Sequence, residues 1–494
     1  MSELASKKQI LRSSSIIGGA SIITIFIGLI KVKLLAIMLG PAGIGLMGVL
    51  LTLLAVSTSI FGMGLNISGV REVALTREDM YKSQVVRKAI VYLNIILAIF
   101  ALLTIYTFRV RLSEWIFNNE DNQWHLILVG FAIFMALISN SQLIVLQGFR
   151  EIEAQAKIKI WGAIIATIFG LTFVYFFDES GVTGFVATVP IVTCILGFYY
   201  SRGLPTLGSY KITIKELSLV WKTILGLGAI YMLSSAMGEG TKLLVRNILD
   251  SKFGIESVGY FQASWSISMT YIGFILSAMA ADYYPRLASM SNNRLKTNEL
   301  VNQQTEIALI FSAPILLVML SYAPLAIRLL YTEQFFPSIE ILRWQVLGDI
   351  LKVMSWPLGF IILAKGNSIV FFGMELIWNF SYVIFVYLGV DYFGVEATGY
   401  AFLISYLLYY MSVYVFVTNK FKFKLTKKNK NSGIIIVITS LSILTASYIN
   451  EISSYFLGGG CIMFSFYYCV KFLKDVGSDN KLIMSVGNLI NKFR

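Results

Sequence analysis

Hydrophobic positions in this chain form long uninterrupted runs separated by short polar stretches. Runs of about twenty apolar residues, enough for a helix to cross a hydrocarbon core of roughly 30 Å, can be placed fourteen times along the 494 residues. The predicted spans are 12–39, 42–68, 88–108, 124–147, 159–177, 182–201, 222–245, 258–281, 305–327, 339–363, 368–389, 394–417, 433–450 and 453–473. The pattern predicts an all-α polytopic membrane protein with about 14 transmembrane helices, because helices satisfy their own backbone polar groups in lipid.

Composition supports this prediction. Hydrophobic residues make up 57% of the chain and charged residues only 14%, with a mean hydropathy of +0.74, which excludes an ordinary soluble globular protein. A net charge of +13 would favour a nucleic-acid partner in a soluble chain. Here most Lys and Arg lie in alternate short loops, so the excess indicates orientation. We expect a multi-pass protein with both termini cytoplasmic, and no nucleic-acid partner.

The loops and spans also predict an organisation. A twelve-helix core divides near 202–221 into two sets of six, the pattern of transporters built from two parallel halves. The predicted segments are an N-lobe at 1–201, a cytoplasmic linker at 202–221, a C-lobe at 222–417, a basic loop at 418–432, helices 13 and 14 at 433–473 and an amphipathic tail at 474–494 on the inner leaflet. No loop reaches the size of a folded domain.

Residues that would indicate catalysis are scarce. The single histidine, His125, lies at the predicted outer start of the fourth span, where contact with lipid headgroups is the simpler interpretation. No phosphate-binding GxxxxGK[ST] loop occurs. The three cysteines, Cys194, Cys461 and Cys469, all lie in apolar runs, which favours packing over a disulfide or metal site. We therefore expect no enzyme activity, no metal and no cofactor.

Charged residues inside the spans are the main functional signal. The stretch 343–352, RWQVLGDILK, places Arg343, Asp349 and Lys352 within one apolar run. Each such charge costs roughly 2.5 to 3.5 kcal/mol at the bilayer centre, so these side chains need partners or water. Asp349 and Lys352 share a helix face and can neutralise each other, whereas Arg343 points elsewhere and needs its own anion.

Two other spans carry basic residues. Lys31 and Lys33 lie in the first span. For each lysine two interpretations are open: its long side chain reaches the outer interface, or it faces a cavity. Glu239, Lys242 and Arg246 are spaced three and four apart in the seventh span and so form one stripe. That stripe is either an internal ion-pair ladder or part of a binding site. One carboxylate cannot neutralise both cations.

Glu375 in the eleventh span is either a partner for Lys352 or a protonatable site. Over the first, seventh, tenth and eleventh spans, six basic side chains face the three acids Glu239, Asp349 and Glu375. The six are Lys31, Lys33, Lys242, Arg246, Arg343 and Lys352. A cavity lined by them would be positive and would suit a diphosphate. Of the six, the two arginines are the better anchors, because guanidinium binds phosphate oxygens bidentately.

The seventh span is also rich in small residues, which permit close helix packing or a hinge. They are Gly226, Gly228, Ser234, Ser235, Gly238 and Gly240. Pro357 in the tenth span predicts a kink.

Several of these stretches resemble a known family. KLLAIMLGPAGIG at 33–45, VLQGFRE at 145–151, VGYFQASWSIS to YYPRLA within 258–288, and above all EILRWQVLGDILKV at 340–353 are similar to the O-antigen translocases. These are lipid-linked oligosaccharide flippases of the multidrug/oligosaccharidyl-lipid/polysaccharide exporter superfamily. The resemblance covers the first twelve spans, and the last two match only loosely.

The resemblance implies two six-helix lobes that form a V-shaped central cavity with a cationic lumen, plus two C-terminal helices. It also implies alternating access and an undecaprenyl-diphosphate-linked oligosaccharide, moved from the cytoplasmic to the periplasmic leaflet of the bacterial inner membrane. Within the motifs, Lys33, Arg246, Asp349 and Lys352 match family positions, while Lys31 and Lys242 have no firm counterpart. An H⁺ or Na⁺ gradient is the implied energy source, with Asp349, Glu239 and Glu375 as ion-coupling candidates. Implied partners are membrane lipids, a polysaccharide polymerase and a chain-length regulator.

Three other functions are weighed against a flippase. A drug or metabolite/cation antiporter of the same superfamily would need an acidic lumen, which the excess of basic residues disfavours. A sugar/proton facilitator would carry a G-x-x-x-D-[RK]-x-G-[RK] loop after the second span, and the sequence REVALTREDMYKSQVVRK lacks it. An enzyme of polysaccharide assembly would need a catalytic extracytoplasmic domain that the loops are too short to form.

Overall fold

The computed structural model describes residues 3–117, 123–204 and 212–475. Fifteen α-helices run through these ranges, in the order α1 (Glu3–Phe61), α2 (Leu65–Thr76), α3 (Met80–Phe117), α4 (Gln123–Gly148), α5 (Ile152–Phe177), α6 (Gly181–Ser201), α7 (Ile214–Phe253), α8 (Ile255–Met290), α9 (Arg294–Ser321), α10 (Ala323–Leu330), α11 (Ser338–Ala364), α12 (Ser368–Phe393), α13 (Ala397–Phe421), α14 (Lys427–Ile449) and α15 (Glu451–Asp475). Short 3₁₀ helices cover Asp178–Ser180, Glu333–Phe335 and Gly394–Glu396. The all-α prediction is confirmed.

The predicted spans fall on helices, except that 42–68 and 305–327 each run across a short break between two helices. Ten helical stretches among the described residues are long and apolar enough to cross a membrane. Three of these stretches, Gly18–Phe61, Ile152–Ser201 and Ser368–Phe421, contain 44, 50 and 54 residues. At 1.5 Å per residue each is about twice as long as a bilayer core of roughly 30 Å. Each is also interrupted near its middle, so each accommodates two crossings.

The interruption in α1 lies at Gly40. Its φ of 60° and ψ of −166° are not helical, and a positive φ is readily adopted by glycine because it has no Cβ. Pro41 follows and starts the next helical segment, where its missing N–H removes no helical hydrogen bond. The pair separates the first two spans where the sequence predicted.

A second break, at Gly62–Gly64, was not predicted. The proposed span 42–68 runs across it, but α1 ends at Phe61 and α2 begins at Leu65. Gly64 has a φ of 67°, and a Cβ on it would lie 2.2 Å from the carbonyl oxygen of Gly228 on α7. The backbones at positions 64 and 228 are therefore in contact, which explains why both positions are glycine. The apolar run hides the turn because Met63 and Leu65 continue the hydrophobic pattern.

Several helices extend beyond the apolar runs into stretches predicted as linker or loop. α7 begins at Ile214, inside the stretch predicted as linker, and Thr213 caps it in a reciprocal capping box with Glu216. The stretch 246–258, which lies between two predicted spans, is helical except around Gly254. Of the basic loop 418–432, only 422–426 is not helical. Residues 205–211 of the linker and 476–494 of the predicted amphipathic tail lie outside the described residues.

The chain divides into two compact units, Met1–Gly259 with Leu330–Thr332, and Tyr260–Leu329 with Glu333–Arg494. In the first unit, α1 packs against α5 and α7, and α4 packs against α3 and α6. In the second, α11 packs against α9 and α13. The helices α14 and α15 pack against each other and against α9. α7, which the sequence assigned to the C-lobe, is grouped with the first unit.

Candidate functional site

The charged stripe of α7 contains an ion pair between Glu239 and Lys242. Lys242 Nζ lies 2.5 Å from a carboxylate oxygen of Glu239, and both side chains are about a quarter exposed. The two residues are one helical turn apart, so they meet on the same face. This geometry matches the ion-pair ladder that the sequence left open for these two residues. Lys242 therefore contributes little net charge of its own.

Arg246 continues the stripe one turn later. Its side chain is only 3% exposed, and its guanidinium donates a hydrogen bond to the hydroxyl of Thr52 on α1. The hydroxyl fixes the orientation of the guanidinium. The contact also ties α7 to the second half of α1.

The two lysines of the first span take different environments, as their spacing of two residues predicts. Lys33 Nζ donates to the backbone carbonyl of Tyr331, which belongs to the same compact unit. Lys31 Nζ lies 5.5 Å from the centre of the Phe185 ring on α6, within the range of a cation–π contact. Both ammonium groups therefore lie against protein of the first unit.

In the second unit, α11 positions Asp349 and Lys352. Asp349 is fully buried and accepts a hydrogen bond of 2.5 Å from Ser268 on α8. Its other carboxylate oxygen, Oδ1, is buried with no hydrogen-bond partner among the described residues. Lys352 Nζ lies 3.0 Å from the sulfur of Met269 and 5.7 Å from the centre of the Tyr406 ring. An acid and a base thus occur one turn apart in an aromatic setting.

Glu375 joins the same region from α12. It accepts a hydrogen bond of 3.0 Å from the hydroxyl of Tyr409 on α13. An aromatic cluster lies in this region. Tyr382 stacks with Trp265 and Trp378, and Phe402 packs edge-on against Trp378 and Tyr382. Trp265 therefore has a packing role.

Arg343 faces away from this group. It is 2% exposed and forms ion pairs with Glu340 at 2.7 Å and with Glu451 of α15 at 2.6 Å. The sequence required a separate anion for Arg343, and the structure supplies two. Glu340 could have been found, since it lies one turn before Arg343 on the same helix. Glu451 could not, because it follows 108 residues later.

The candidate residues therefore fall into three arrangements. The first unit holds Lys31, Lys33 and the stripe of α7. In the second unit Asp349, Lys352 and Glu375 are on neighbouring helices α11 and α12, whereas Arg343 belongs to a separate contact with α15. Sequence reasoning missed the hydroxyl partners Thr52, Ser268 and Tyr409, since a lone Ser, Thr or Tyr in an apolar run carries no distinguishing signal.

Comparison with known proteins identifies the family. Residues 34–340 match the family model described as "Polysaccharide biosynthesis protein". The chain belongs to this family. The lipid III flippase of Escherichia coli (strain K12) is 24% identical over 400 residues, which cover 79% of this chain and 94% of that protein. The relative is named as a flippase, a protein that moves lipids and not a catalyst of covalent chemistry.

Solved structures share the fold. The inward closed conformation of the lipid II flippase MurJ superposes with a TM-score of 0.69 at 14% identity, covering 93% of this chain and 99% of that one. An inward-facing multidrug resistance MATE family transporter of the MOP superfamily gives a TM-score of 0.71 at 16% identity, covering 81% and 94%. These similarities show that the chain shares the fold of these two proteins and confirm the all-α membrane-protein class predicted from sequence.

Proposed function

We propose that this polysaccharide biosynthesis protein is a flippase for an undecaprenyl-diphosphate-linked oligosaccharide of the O-antigen type. It would carry the headgroup from the cytoplasmic to the periplasmic leaflet of the bacterial inner membrane. Transport would proceed by alternating access through a cationic lumen. The lipid tail would remain in the bilayer during the transfer.

The observation that carries this proposal is the excess of basic over acidic residues among the candidates on the spanning helices. Setting aside the Glu239–Lys242 pair and Arg343, the candidate set still contains Lys31, Lys33, Arg246 and Lys352. Only two candidate acids, Asp349 and Glu375, remain beside them. Low-dielectric surroundings strengthen such an imbalance, and a diphosphate is an anion that would exploit it. Arg246, oriented by Thr52, is the preferred phosphate anchor.

Arg343 is removed from the substrate-binding set in this proposal. Its guanidinium already contacts two carboxylates, so binding a phosphate would require breaking ion pairs inside the protein. Its role is to hold α15 against α11.

For ion coupling we propose Asp349 and Glu375 in preference to Glu239. A coupling acid must change its charge or its ligand during the cycle. Glu239 is neutralised by Lys242, while Asp349 is buried with one oxygen unoccupied by any described donor. The coupling ion would be H⁺ or Na⁺. A polysaccharide polymerase and a chain-length regulator would act on the product, and both termini would be cytoplasmic.

The test is made in a strain deleted for this protein. We expect undecaprenyl-diphosphate-linked oligosaccharide, identified by mass, to accumulate on the inner leaflet and surface glycan to disappear. Complementation with Arg246→Ala or Lys352→Ala should fail to restore glycan at normal protein level, whereas Arg246→Lys should restore part of it. Normal glycan display in the deletion strain would reject the flippase, and normal display with both alanine variants would reject the cationic lumen.

The second function to test is drug or metabolite/cation antiport, which the similarity in fold to MATE transporters keeps in view. It predicts that deletion changes resistance to cationic drugs and leaves surface glycan intact. The basic excess among the candidate residues favours the flippase.

A further inference from the structure

The first compact unit contains a cavity of about 590 Å³ that the charged residues do not line. It lies between the end of α1, the start of α2, α4 and α7. Its volume falls in the range of roughly 300 to 1,000 Å³ found for small-molecule sites. Every residue that lines it is uncharged. The polar ones that matter here are Ser59, Asn66, Ser139, Asn140, Tyr231 and Ser235.

Two amides in this cavity have unused hydrogen-bonding capacity. Asn66 and Asn140 both line it, and neither side chain has a hydrogen-bond partner in the part of the chain that the structure describes. Asn140 lies on α4, which is long and apolar enough to cross a membrane, where a polar side chain requires a partner or water. By contrast, Ser59 and Ser235 are joined across α1 and α7 by a hydrogen bond of 2.9 Å. The amides are therefore available to a ligand.

The break at Gly62–Gly64 helps to form the cavity. Both glycines line it, and the contact between Gly64 and Gly228 holds the turn against α7. Non-helical backbone at membrane depth is tolerated where it lines a wet cavity or is buried in protein. The cavity therefore accounts for the non-helical backbone at Gly62–Gly64, and the turn forms part of the cavity wall.

The cavity and the charged stripe share one face of α7. Tyr231 and Ser235 line the cavity, and Lys242 follows Ser235 by two helical turns, or about 10 Å along the axis. At spacings of four, four, three and four, the face carries Tyr231, Ser235, Glu239, Lys242 and Arg246. A single ligand could therefore place an anionic group beside Arg246 and an uncharged polar group in the cavity.

We propose that this cavity is a sugar subsite, which binds neutral saccharide residues of the oligosaccharide headgroup. The inference rests on the proposed flippase function and adds where the glycan is held. Ser, Asn and Tyr side chains both donate and accept hydrogen bonds, as sugar hydroxyls do. The ring of Tyr231, half exposed at 49%, offers an apolar face with a polar end. An acyl chain in this cavity would leave the side-chain amides of Asn66 and Asn140 without hydrogen-bond partners, which costs free energy.

The test uses site-specific photocrosslinking in living cells of the complemented deletion strain. The photoreactive residue p-benzoyl-phenylalanine replaces Tyr231 in one full-length variant. In the control it replaces Leu233, which is exposed on the same helix but does not line the cavity. The adducts are released and analysed by mass. We expect saccharide in the adduct at position 231 and none at 233. An adduct at 231 that contains only acyl chains, or no saccharide, would overturn the sugar subsite.

A second measurement keeps the proposal testable if the bulky probe disturbs transport. Asn140→Leu and Asn66→Leu preserve side-chain size and remove the amides. We expect each to lower surface glycan roughly fivefold to tenfold, the effect of one or two lost hydrogen bonds. Thr223→Val, a comparable loss of a polar group on α7 outside the cavity, should leave glycan unchanged. Asn140→Ser should restore part of the loss.

The outcomes separate this inference from the proposed function. If the Leu variants display normal glycan while Arg246→Ala abolishes it, the flippase stands and the sugar subsite is wrong. If the deletion strain itself displays normal glycan, the flippase is wrong, and the sugar subsite fails with it.

Discussion

Arg343 and Glu451 form an ion pair of 2.6 Å between α11 and the first residue of α15. The guanidinium is 2% exposed and the carboxylate 42% exposed, so the pair is buried on one side only. Glu340 completes the arrangement, and the hydroxyl of Tyr448 donates to its other oxygen at 2.8 Å. The last two helices are thus fixed to α11 by charge and by a hydrogen bond.

This relationship predicts an asymmetry between variants. Arg343→Met leaves two carboxylates that water can reach, whereas the double variant Glu340→Gln, Glu451→Gln leaves a buried guanidinium without an anion. Removing the partners of a buried charge costs about 3 to 5 kcal/mol. We expect the double variant to lower the thermal midpoint of the purified protein more than Arg343→Met does. Surface glycan per molecule should be normal for Arg343→Met. Loss of glycan from a stable Arg343→Met protein would return Arg343 to the substrate-binding set.

The contact between Gly228 and Met63 predicts a second asymmetry within one helix. A Cβ on Gly228 would lie 2.1 Å from the carbonyl oxygen of Met63, whereas a Cβ on Gly226 meets nothing within 4 Å. Gly226→Ala should therefore raise the thermal midpoint, since alanine favours a helix over glycine by about 0.5 to 1 kcal/mol. Gly228→Ala should lower it, because backbone must move. Equal shifts for both variants would contradict the close approach.

The pairing of Glu239 with Lys242 predicts rescue by charge exchange. Lys242→Glu alone places two carboxylates one turn apart and should reduce both protein level and surface glycan. Adding Glu239→Lys rebuilds an ion pair with the same spacing and should restore both. The measurement is a quantitative immunoblot alongside glycan display. Restored protein with absent glycan would show instead that the position of the lysine charge matters to transport.

The burial of Asp349 predicts separate effects for its charge and its hydrogen bond. Asp349→Asn removes the charge and should reduce transport at least tenfold if this acid couples the ion. Ser268→Ala removes only the donor 2.5 Å away and should reduce transport about fivefold, in keeping with about 1 kcal/mol for the net contribution of one hydrogen bond. Transport is measured in inverted vesicles with and without an imposed H⁺ or Na⁺ gradient. An Asp349→Asn protein that still responds to the gradient would assign coupling elsewhere.

The sequence predicts the helices well because crossing a membrane demands long apolar runs, which are visible without any contact information. The same apolar runs conceal the turn at Gly62–Gly64, since its flanking residues keep the hydrophobic pattern. The stripe of Glu239, Lys242 and Arg246 follows from helical spacing alone. The partners supplied by other helices, such as Thr52 and Glu451, depend on packing that sequence spacing does not encode.

The prediction for Arg343 shows this limit most clearly. Its charge identified it as unusual, and its chemistry favoured a phosphate anchor. Glu340 lies one turn earlier on the same helix and could have been found from spacing, but only the position of α15 reveals the second anion, Glu451. Charge inside a span is therefore a reliable sign of a polar contact, while the identity of that contact requires the fold.

The ion pairs of Arg343 with Glu340 and Glu451 also limit how such a chain could be shortened. A polypeptide that ended after α13 would lose Glu451 and Tyr448 together and would leave Glu340 as the one acid of this cluster beside Arg343. Trimming the last hairpin would thus remove one of the two ion pairs that hold the guanidinium. Two helices that the sequence marks only loosely as family-like are in this way bound to the most family-like stretch of the molecule.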